Sequence, residues 1–388
     1  MRGLVMTWFE FVKPFLWAGL VFLLVLEACT RLEQWWVYGV SPLRLYDYDV
    51  MLYTRTAVGI AGRPNARYEK WTLNSLGMRG PEVALKKPQG TVRILCMGAS
   101  ETFGLHETAD HEWPRRLERH LRASGIPVEV INASLVAMSP VLQVRHFEYA
   151  LREFNPDTVL LMLNYPYFAG RDVPNIHDPK TALHAWVRTE KEVGPFSGVL
   201  TPRLLRKVKD AVLPQLPEVI QTGVLTPLHQ WQRMRQQVAL GPEYHKYKSV
   251  QPAEIAAYDD ILGRWMDLSV KFNFRLVLLD PALWITQDTL NVFHRSWPYV
   301  AESWLVSART QLAERAAQRA RGNALTYVSL HGVVAGQEAR LMRDMVHFSD
   351  EGAEAIALRI ADALRPTWAH LPNTEDATAA QAHAPQRF

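Results

Sequence analysis

A chain of 388 residues with 48% hydrophobic content can bury one large core or two modest ones. Its formal net charge is only +4, and Lys and Arg are spread along the chain, so no nucleic-acid partner is expected. Two cysteines, Cys29 and Cys96, exclude a disulfide framework, and Cys96, inside an apolar run, reads as a buried core thiol.

The first element is N-terminal. Pro14 to Leu26 runs thirteen residues without a charge, and WFEFV, Trp8 to Val12, extends the apolar character. A helix from about Met6 to about Cys29 is long enough to cross a bilayer. Glu27 and Arg31, four apart, can pair on one helix face. Arg2 and Lys13 precede the apolar core, which puts the N-terminus inside and the rest of the chain outside by the positive-inside rule. Trp35, Trp36 and Tyr38 fit an interfacial aromatic belt. Residues 1–31 are therefore expected to be a single-pass anchor in the cell inner membrane, partnered by the lipid bilayer, with the remainder facing the periplasm or exterior. A cleaved signal peptide and a lipoprotein signal at Cys29 are the alternatives, and both also export the bulk of the chain.

Residues 32–90, interrupted by Pro64, Pro81 and Pro88, read as a juxtamembrane extension. Strands and helices then alternate. Strands are expected at Val92–Met97, Val128–Ile131, Thr158–Leu163, Phe274–Leu279 and Leu325–Leu330. Helices are expected from Trp113 toward Gly125, over Val141–Phe154, Ala253–Val270 and Tyr299–Ala320, and from about Ser349–Gly352 to Leu364. Pro114 suits a first helical turn, and Ser349 is a good N-cap followed by Asp350 and Glu351. The stretch 171–251 is too long for an ordinary connection and reads as an insertion, a candidate lid. Its amphipathic piece, Leu204 to Leu216, suits a solvated helix covering the core or, alternatively, a membrane surface. The tail, 367–388, is Ala-, Gln- and Thr-rich from Asn373 and expected to be disordered. The alternation over 91–366 implies an α/β domain, a parallel sheet covered by helices on both faces.

Ligands bind such sheets beyond the carboxyl ends of the strands. Ser100, in GASETFG (Gly98–Gly104), falls just past the end of the first core strand, with Gly98 to allow a tight turn and a helical turn to aim backbone N–H groups. The stretch is neither a phosphate loop nor a G-x-S-x-G elbow, since Thr102 occupies the last glycine position. A serine there is also compatible with a plain polar turn. Downstream, Asp344 and His347 stand three apart before the last helix, a spacing that lets a carboxylate hold one imidazole nitrogen while the other faces outward. HETADHE, His106–Glu112, has ligand-type residues, but they precede a helix whose first turn attracts acids anyway, and no metal site or cofactor is expected. His294 and His331 are lone histidines. Trp284, just after the fourth strand, is a candidate for lining the site or for plain packing.

This ordered set resembles the SGNH, or GDSL-type, esterase and acyltransferase superfamily. GASETFG is similar to the first block, VINASL (Val130–Leu135) to the second, LMLNYP (Leu161–Pro166) to the third, and Asp344-x-x-His347 to the last. Ala99, Ser134, Met162 and Tyr165 depart from the usual residues of those blocks. The resemblance implies a three-layer, flavodoxin-like domain with a five-stranded parallel sheet. It further implies Ser100 as nucleophile, His347 as base, Asp344 as its orienting acid, and an oxyanion hole from the N–H groups of Ser100 and Ser134 with the Asn164 amide. LNSLGMRGPE (Leu73–Glu82), after the anchor, resembles a membrane-tethered branch linked to extracellular polysaccharide. That implies acyl, chiefly acetyl, esters of a glycan as substrate and an integral-membrane acyltransferase as a partner. The expected activity is that of a serine esterase or O-acyltransferase. The alternative is a catalytically inactive scaffold or polysaccharide-binding subunit of an envelope assembly system.

Overall fold

Six residues bounded by Thr91 and Gly98, apolar apart from Arg93, need cover on both faces, and Val92–Met97 (β1) is buried along its whole length. The computed structural model describes residues 2–38, 42, 48–57, 59–170, 173–178 and 218–368. In it β1 joins Val128–Asn132 (β2), Thr158–Met162 (β3), Arg275–Asp280 (β4) and Thr326–Ser329 (β5) in one sheet of order β2-β1-β3-β4-β5. Every neighbouring pair is parallel, with Ile94 opposite Val130 on one side and Thr158 on the other. This is the expected flavodoxin-like order, and the chain switches direction between β1 and β3, where the adjoining loops open a crevice.

The pleat of β1 serves two layers. Val92, Ile94 and Cys96 cluster with Trp113, Leu117 and Leu121 of Trp113–Ala123 (α3) and with Ile356, Ile360 and Leu364 of Asp350–Trp368 (α9). Each such fully buried side chain contributes about 1.5–3 kcal/mol. The other layer is built from Pro140–Tyr149 (α4), Pro252–Phe272 (α6) and Glu302–Gly322 (α8), with Phe147 of α4 tilted against Trp265 of α6 at 5.3 Å between ring centroids. α6 begins with a capping box in which Glu254 bonds back to the Gln251 N–H, and the same carboxylate accepts from the Trp304 indole of α8 at 2.9 Å.

Several ends differ from the sequence expectation for local reasons. The helix expected from about Tyr299 starts at Glu302, because Val300 bridges Tyr247 in parallel and the Ala301 N–H donates to the Tyr247 carbonyl. The helix expected over Val141–Phe154 stops at Tyr149 and continues as a tighter turn, Leu151–Phe154, closed by Asn155 at φ 47°. The last helix runs through Pro366 to a buried Trp368, so the first two residues of the expected tail are helical and 369–388 lie outside the described residues.

At the amino end of the sheet Arg93 is fully buried, yet its guanidinium is satisfied. It donates to Glu129 at 2.6 Å and to the carbonyls of Leu85, Phe154 and Ala84 at 2.8 Å each. Segment 84–85, from the expected juxtamembrane extension, is thereby tied to the first strand.

The chain forms two compact units, and the sheet with its helices belongs to the larger. The smaller comprises Met1–Tyr53, Arg67–Thr72 and Val187–Gln232. It holds Arg2–Tyr38 (α1), the short helix Tyr48–Leu52 and an antiparallel pair of two-residue strands, Arg67–Tyr68 and Trp71–Thr72. α1 runs nine residues beyond the expected end at Cys29, with Arg31 bonded to Glu27 at 2.7 Å. Its stretch Glu10–Val37, mean hydropathy 1.8 and without a buried side chain in its most apolar window, is long and apolar enough to cross a membrane. Of the expected insertion, 171–172 and 179–217 lie outside the described residues, the Leu204–Leu216 piece included. Its described part is the helix Glu218–Leu240 (α5) and the turns on either side of it.

Candidate active site

Ser100 opens a single helical turn, Ser100–Phe103 (α2), three residues past the end of β1. The turn is pressed so closely on the strand end that a Cβ on Gly98 would lie 2.0 Å from the Thr102 hydroxyl oxygen and 2.6 Å from its Cβ. The glycine is needed for space, which refines the sequence reading of it as a flexible turn residue. Gly104, at φ 86°, closes the turn by donating its N–H to the Ser100 carbonyl. Glu101, Thr102 and Phe103 point into the core while Ser100 is half-buried. Among the described residues no acceptor is found for the Ser100 N–H.

His347 comes from the loop before α9. There Asp344 folds the chain around its own carboxylate, whose Oδ1 accepts the N–H groups of Val346 and His347 at 3.0 Å each. Met342 and Phe348 bridge in antiparallel fashion, and the Met345 carbonyl accepts the Trp284 N–H at 2.9 Å. The imidazole is thus held on both sides. Nδ1 lies 2.8 Å from Asp344 Oδ2, and Nε2 lies 2.7 Å from Ser100 Oγ. With Asp344 accepting from Nδ1–H, the lone pair of Nε2 faces the hydroxyl.

Burial by itself pushes the His347 ring down, but the charge and hydrogen bond of Asp344, with Glu101 and Glu107 adding, hold it above the usual histidine range. Burial likewise raises Asp344, and the opposing pull of His347 and His106 keeps that carboxyl far below the ordinary range. His106 stands edge-on to His347 at 5.0 Å between ring centroids, its Nε2 3.3 Å from Asp344 Oδ2. His106, Asp344 and His347 bring ligand-type atoms within 4.8 Å of one another. Both nitrogens of His347 are engaged, however, one by Asp344 and one by Ser100, so the ring has none left for a metal.

The second and third blocks are stitched to α2. Asn132, the last residue of β2, donates its side-chain amide to the Thr102 carbonyl at 2.9 Å. Two residues on, the N–H of the buried Ser134 meets Asn132 Oδ1 at 3.3 Å, a long contact that an oxyanion would have to outcompete. Asn164, two residues past β3, is buried and donates one amide hydrogen to Glu101 Oε2 at 3.4 Å, leaving the second. Glu101 also accepts the Ala99 N–H at 2.8 Å, and its burial pushes that carboxyl up. Trp284 is half-buried beside the Asp344–His347 turn and packs on the main core cluster.

Three participants are not visible as such in the sequence. Glu101 ties the Ser100 turn to Asn164. His106 reaches Asp344 from HETADHE, a run that otherwise looks like helix-capping acids. Arg79, from LNSLGMRGPE, is buried under α2, donating to the carbonyls of Phe103 and Gly104 and lying 3.4 Å from Glu112. His331 shows no link to this site in the described hydrogen bonds, and His294 lies in a separate cavity.

Solved structures similar to this chain include a lipase/acylhydrolase from Enterococcus faecalis, 14% identical, with a TM-score of 0.42 over 71% of this chain and 96% of that one. A lipase from a goat rumen metagenome is 11% identical, with a TM-score of 0.38 over 70% and 97%. A GDSL-like lipase from Bacteroides thetaiotaomicron is 12% identical, with a TM-score of 0.36 over 71% and 88%. No protein-family model and no curated protein matches the chain.

Proposed function

We propose that this chain is an SGNH-type serine enzyme transferring acyl groups from esters, with Ser100, His347 and Asp344 as its triad. The observation that carries the reading is the continuous path from Asp344 Oδ2 through the His347 ring to Ser100 Oγ, at 2.8 and 2.7 Å. His347 Nε2 takes the Ser100 proton as Oγ attacks the ester carbonyl carbon. Asp344 stabilises the imidazolium, and the ring returns the proton to the leaving alkoxide. Water or a sugar hydroxyl, deprotonated by the same nitrogen, then attacks the acyl carbon, and the imidazolium returns that proton to Ser100 Oγ as the acyl–Oγ bond breaks. The N–H groups of Ser100 and Ser134 and the free amide hydrogen of Asn164 are the donors for the oxyanion. Each is worth about 10²–10³ in rate where such donors have been removed.

The finer reading is a membrane-anchored enzyme facing the periplasm or exterior and acting on acetyl esters of a glycan. The length and apolarity of Glu10–Val37 support the anchor. Arg2 and Lys13 before the apolar core support the orientation. The polysaccharide substrate and an integral-membrane acyl-donating partner rest on the resemblance of LNSLGMRGPE alone. One assay separates the outcomes. Purified chain is given an acetyl ester with and without an acetyl-free oligosaccharide. Acetate release marks an esterase, and acetylated oligosaccharide marks a transferase. Neither product from well-folded protein contradicts the enzyme and favours the inactive scaffold or polysaccharide-binding subunit.

A further inference from the structure

The proposed reaction leaves His106 without a task. The N–H groups of Gly104 and Leu105 both return to the Ser100 carbonyl, at 3.0 and 3.1 Å, so the chain turns sharply at the end of α2. The next N–H, that of His106, donates to Oε2 of the buried Glu107 at 3.1 Å. This fold-back sets the His106 ring against Asp344, with Nε2 3.3 Å from Oδ2. Two residues on, Thr108 holds Asp350 through its N–H at 2.8 Å and its hydroxyl at 2.6 Å. The segment leaving the nucleophile's turn is thus fastened twice to the stretch from Asp344 to Asp350. From another side that stretch is fixed by Trp284, which leads into the short helix Gln287–Phe293 (α7) and donates its N–H to the Met345 carbonyl.

The carboxylate of Asp344 is where these contacts meet. Oδ1 accepts the N–H groups of Val346 and His347, while Oδ2 lies 2.8 Å from His347 Nδ1 and 3.3 Å from His106 Nε2. An ionised carboxylate only accepts, so the His106 Nε2 that faces it carries hydrogen. The two rings share one oxygen, standing edge-on at 5.0 Å between centroids. Against burial, the depression of the Asp344 carboxyl comes from His347 first and His106 next. Hydrogen on His106 Nε2 draws on the same charge that holds the His347 proton. The sign is the same for a neutral and a cationic His106. A donated hydrogen bond lessens the pull of Asp344, and a positive ring repels the His347 imidazolium. The other charged groups acting on His347 are Glu101 of α2 and Glu107 of the connection, and both favour its protonated form. His106 opposes these three carboxylates.

We infer that His106 is a positioning residue of the triad: by donating to Asp344 Oδ2 it holds the carboxylate in line with His347 and limits how tightly the imidazolium keeps its proton. The inference rests on the proposed Ser100–His347–Asp344 triad. In that reaction the proton taken from Ser100 must pass on to the leaving alkoxide, and an imidazolium held too firmly would be slow to release it.

The test is the rate at which a fluorophosphonate labels the full chain in detergent, measured across pH. Ser100 Oγ displaces fluoride at phosphorus while His347 Nε2 takes the hydroxyl proton, so the rate climbs as the ring becomes neutral. His106→Phe should move this limb up by about 0.5–1 pH unit and lower the plateau by about tenfold. His106→Gln keeps an N–H donor, and its limb and plateau should stay close to those of wild type. A role in folding alone would lower the amount of active chain without moving the limb. The His106 side chain is 42% exposed, and His106→Ala takes the place of His106→Phe if circular dichroism shows the latter misfolded. Labelled wild type with an unmoved limb in the folded His106→Phe chain, or His106→Gln as impaired as His106→Phe, overturns this inference alone. Wild type that does not label overturns the triad, and this inference with it.

Discussion

Ser100 and His347 stand 247 positions apart in the chain, yet the hydroxyl oxygen of one lies 2.7 Å from Nε2 of the other. The parallel sheet produces this meeting. β1 delivers Ser100 at its carboxyl rim, and the chain leaving β5 returns to that rim before α9. The α3–α9 packing on one face, with Thr108 bonded to Asp350 at 2.8 Å, holds the two loops in register.

Asp344→Asn keeps a side-chain oxygen for the N–H groups of Val346 and His347 while changing the proton chemistry. Asp344→Asn should lower kcat by about 10³–10⁴ on a soluble acetyl ester, because the amide favours the wrong tautomer of His347. The Tm should fall at neutral pH, where the ionised carboxyl contributes stability, without loss of the folded state. Unaltered kcat in this variant would remove Asp344 from the mechanism.

The pH profile follows from the raised affinity of His347 for its proton. The base works only when neutral, so kcat/KM should rise with pH through a limb lying above the ordinary value of about 6.5. Glu101 contributes to holding the proton, and Glu101→Gln should move that limb to lower pH. An unmoved limb in the folded variant would leave Glu101 with a packing role only. Stability moves in the same direction at acid pH. The depressed carboxyl of Asp344 stabilises the fold above about pH 4, and this contribution fades as pH falls further.

Asn164→Ala should reduce kcat by about 10²–10³ with little change in KM, the signature of an interaction made in the transition state. A change confined to KM would place the amide on bound substrate instead.

Two substitutions separate scaffold from site. Arg93→Ala removes a buried guanidinium from Glu129 and three carbonyls, far from Ser100 along β1, and should destabilise by about 3–5 kcal/mol in chemical denaturation. Gly98→Ala sets a methyl carbon 2.0 Å from the Thr102 hydroxyl and should cost about 1–3 kcal/mol. Because that strain falls on the turn bearing Ser100, activity should drop as well, whereas surviving Arg93→Ala enzyme keeps its turnover.

Much of this was legible in the chain. The three central strands announce themselves as short apolar runs, since strands covered on both faces leave no polar alternation to obscure them. Ser100, Asp344 and His347 stand at loop positions that the alternation of elements brings to one rim. Residues whose importance is only three-dimensional were not legible. The carboxyl of Glu101 reads as an ordinary helix-start acid until the fold buries it against Asn164. His106 becomes relevant only through its 3.3 Å approach to Asp344. Arg79 lies in a stretch without periodicity, and nothing local says that Phe103 and Gly104 will cover it. The late start of α8 depends on a bridge to Tyr247, some fifty positions upstream, which no window of sequence contains.

The most direct test is covalent labelling by a fluorophosphonate, which phosphonylates a serine only when a neighbouring base has activated it. Wild-type chain should label with one equivalent, at Ser100 by peptide mapping, faster as pH rises through the His347 limb. Ser100→Ala and His347→Ala should not label. Absence of labelling in well-folded wild-type protein, or labelling that persists in Ser100→Ala, would contradict the account.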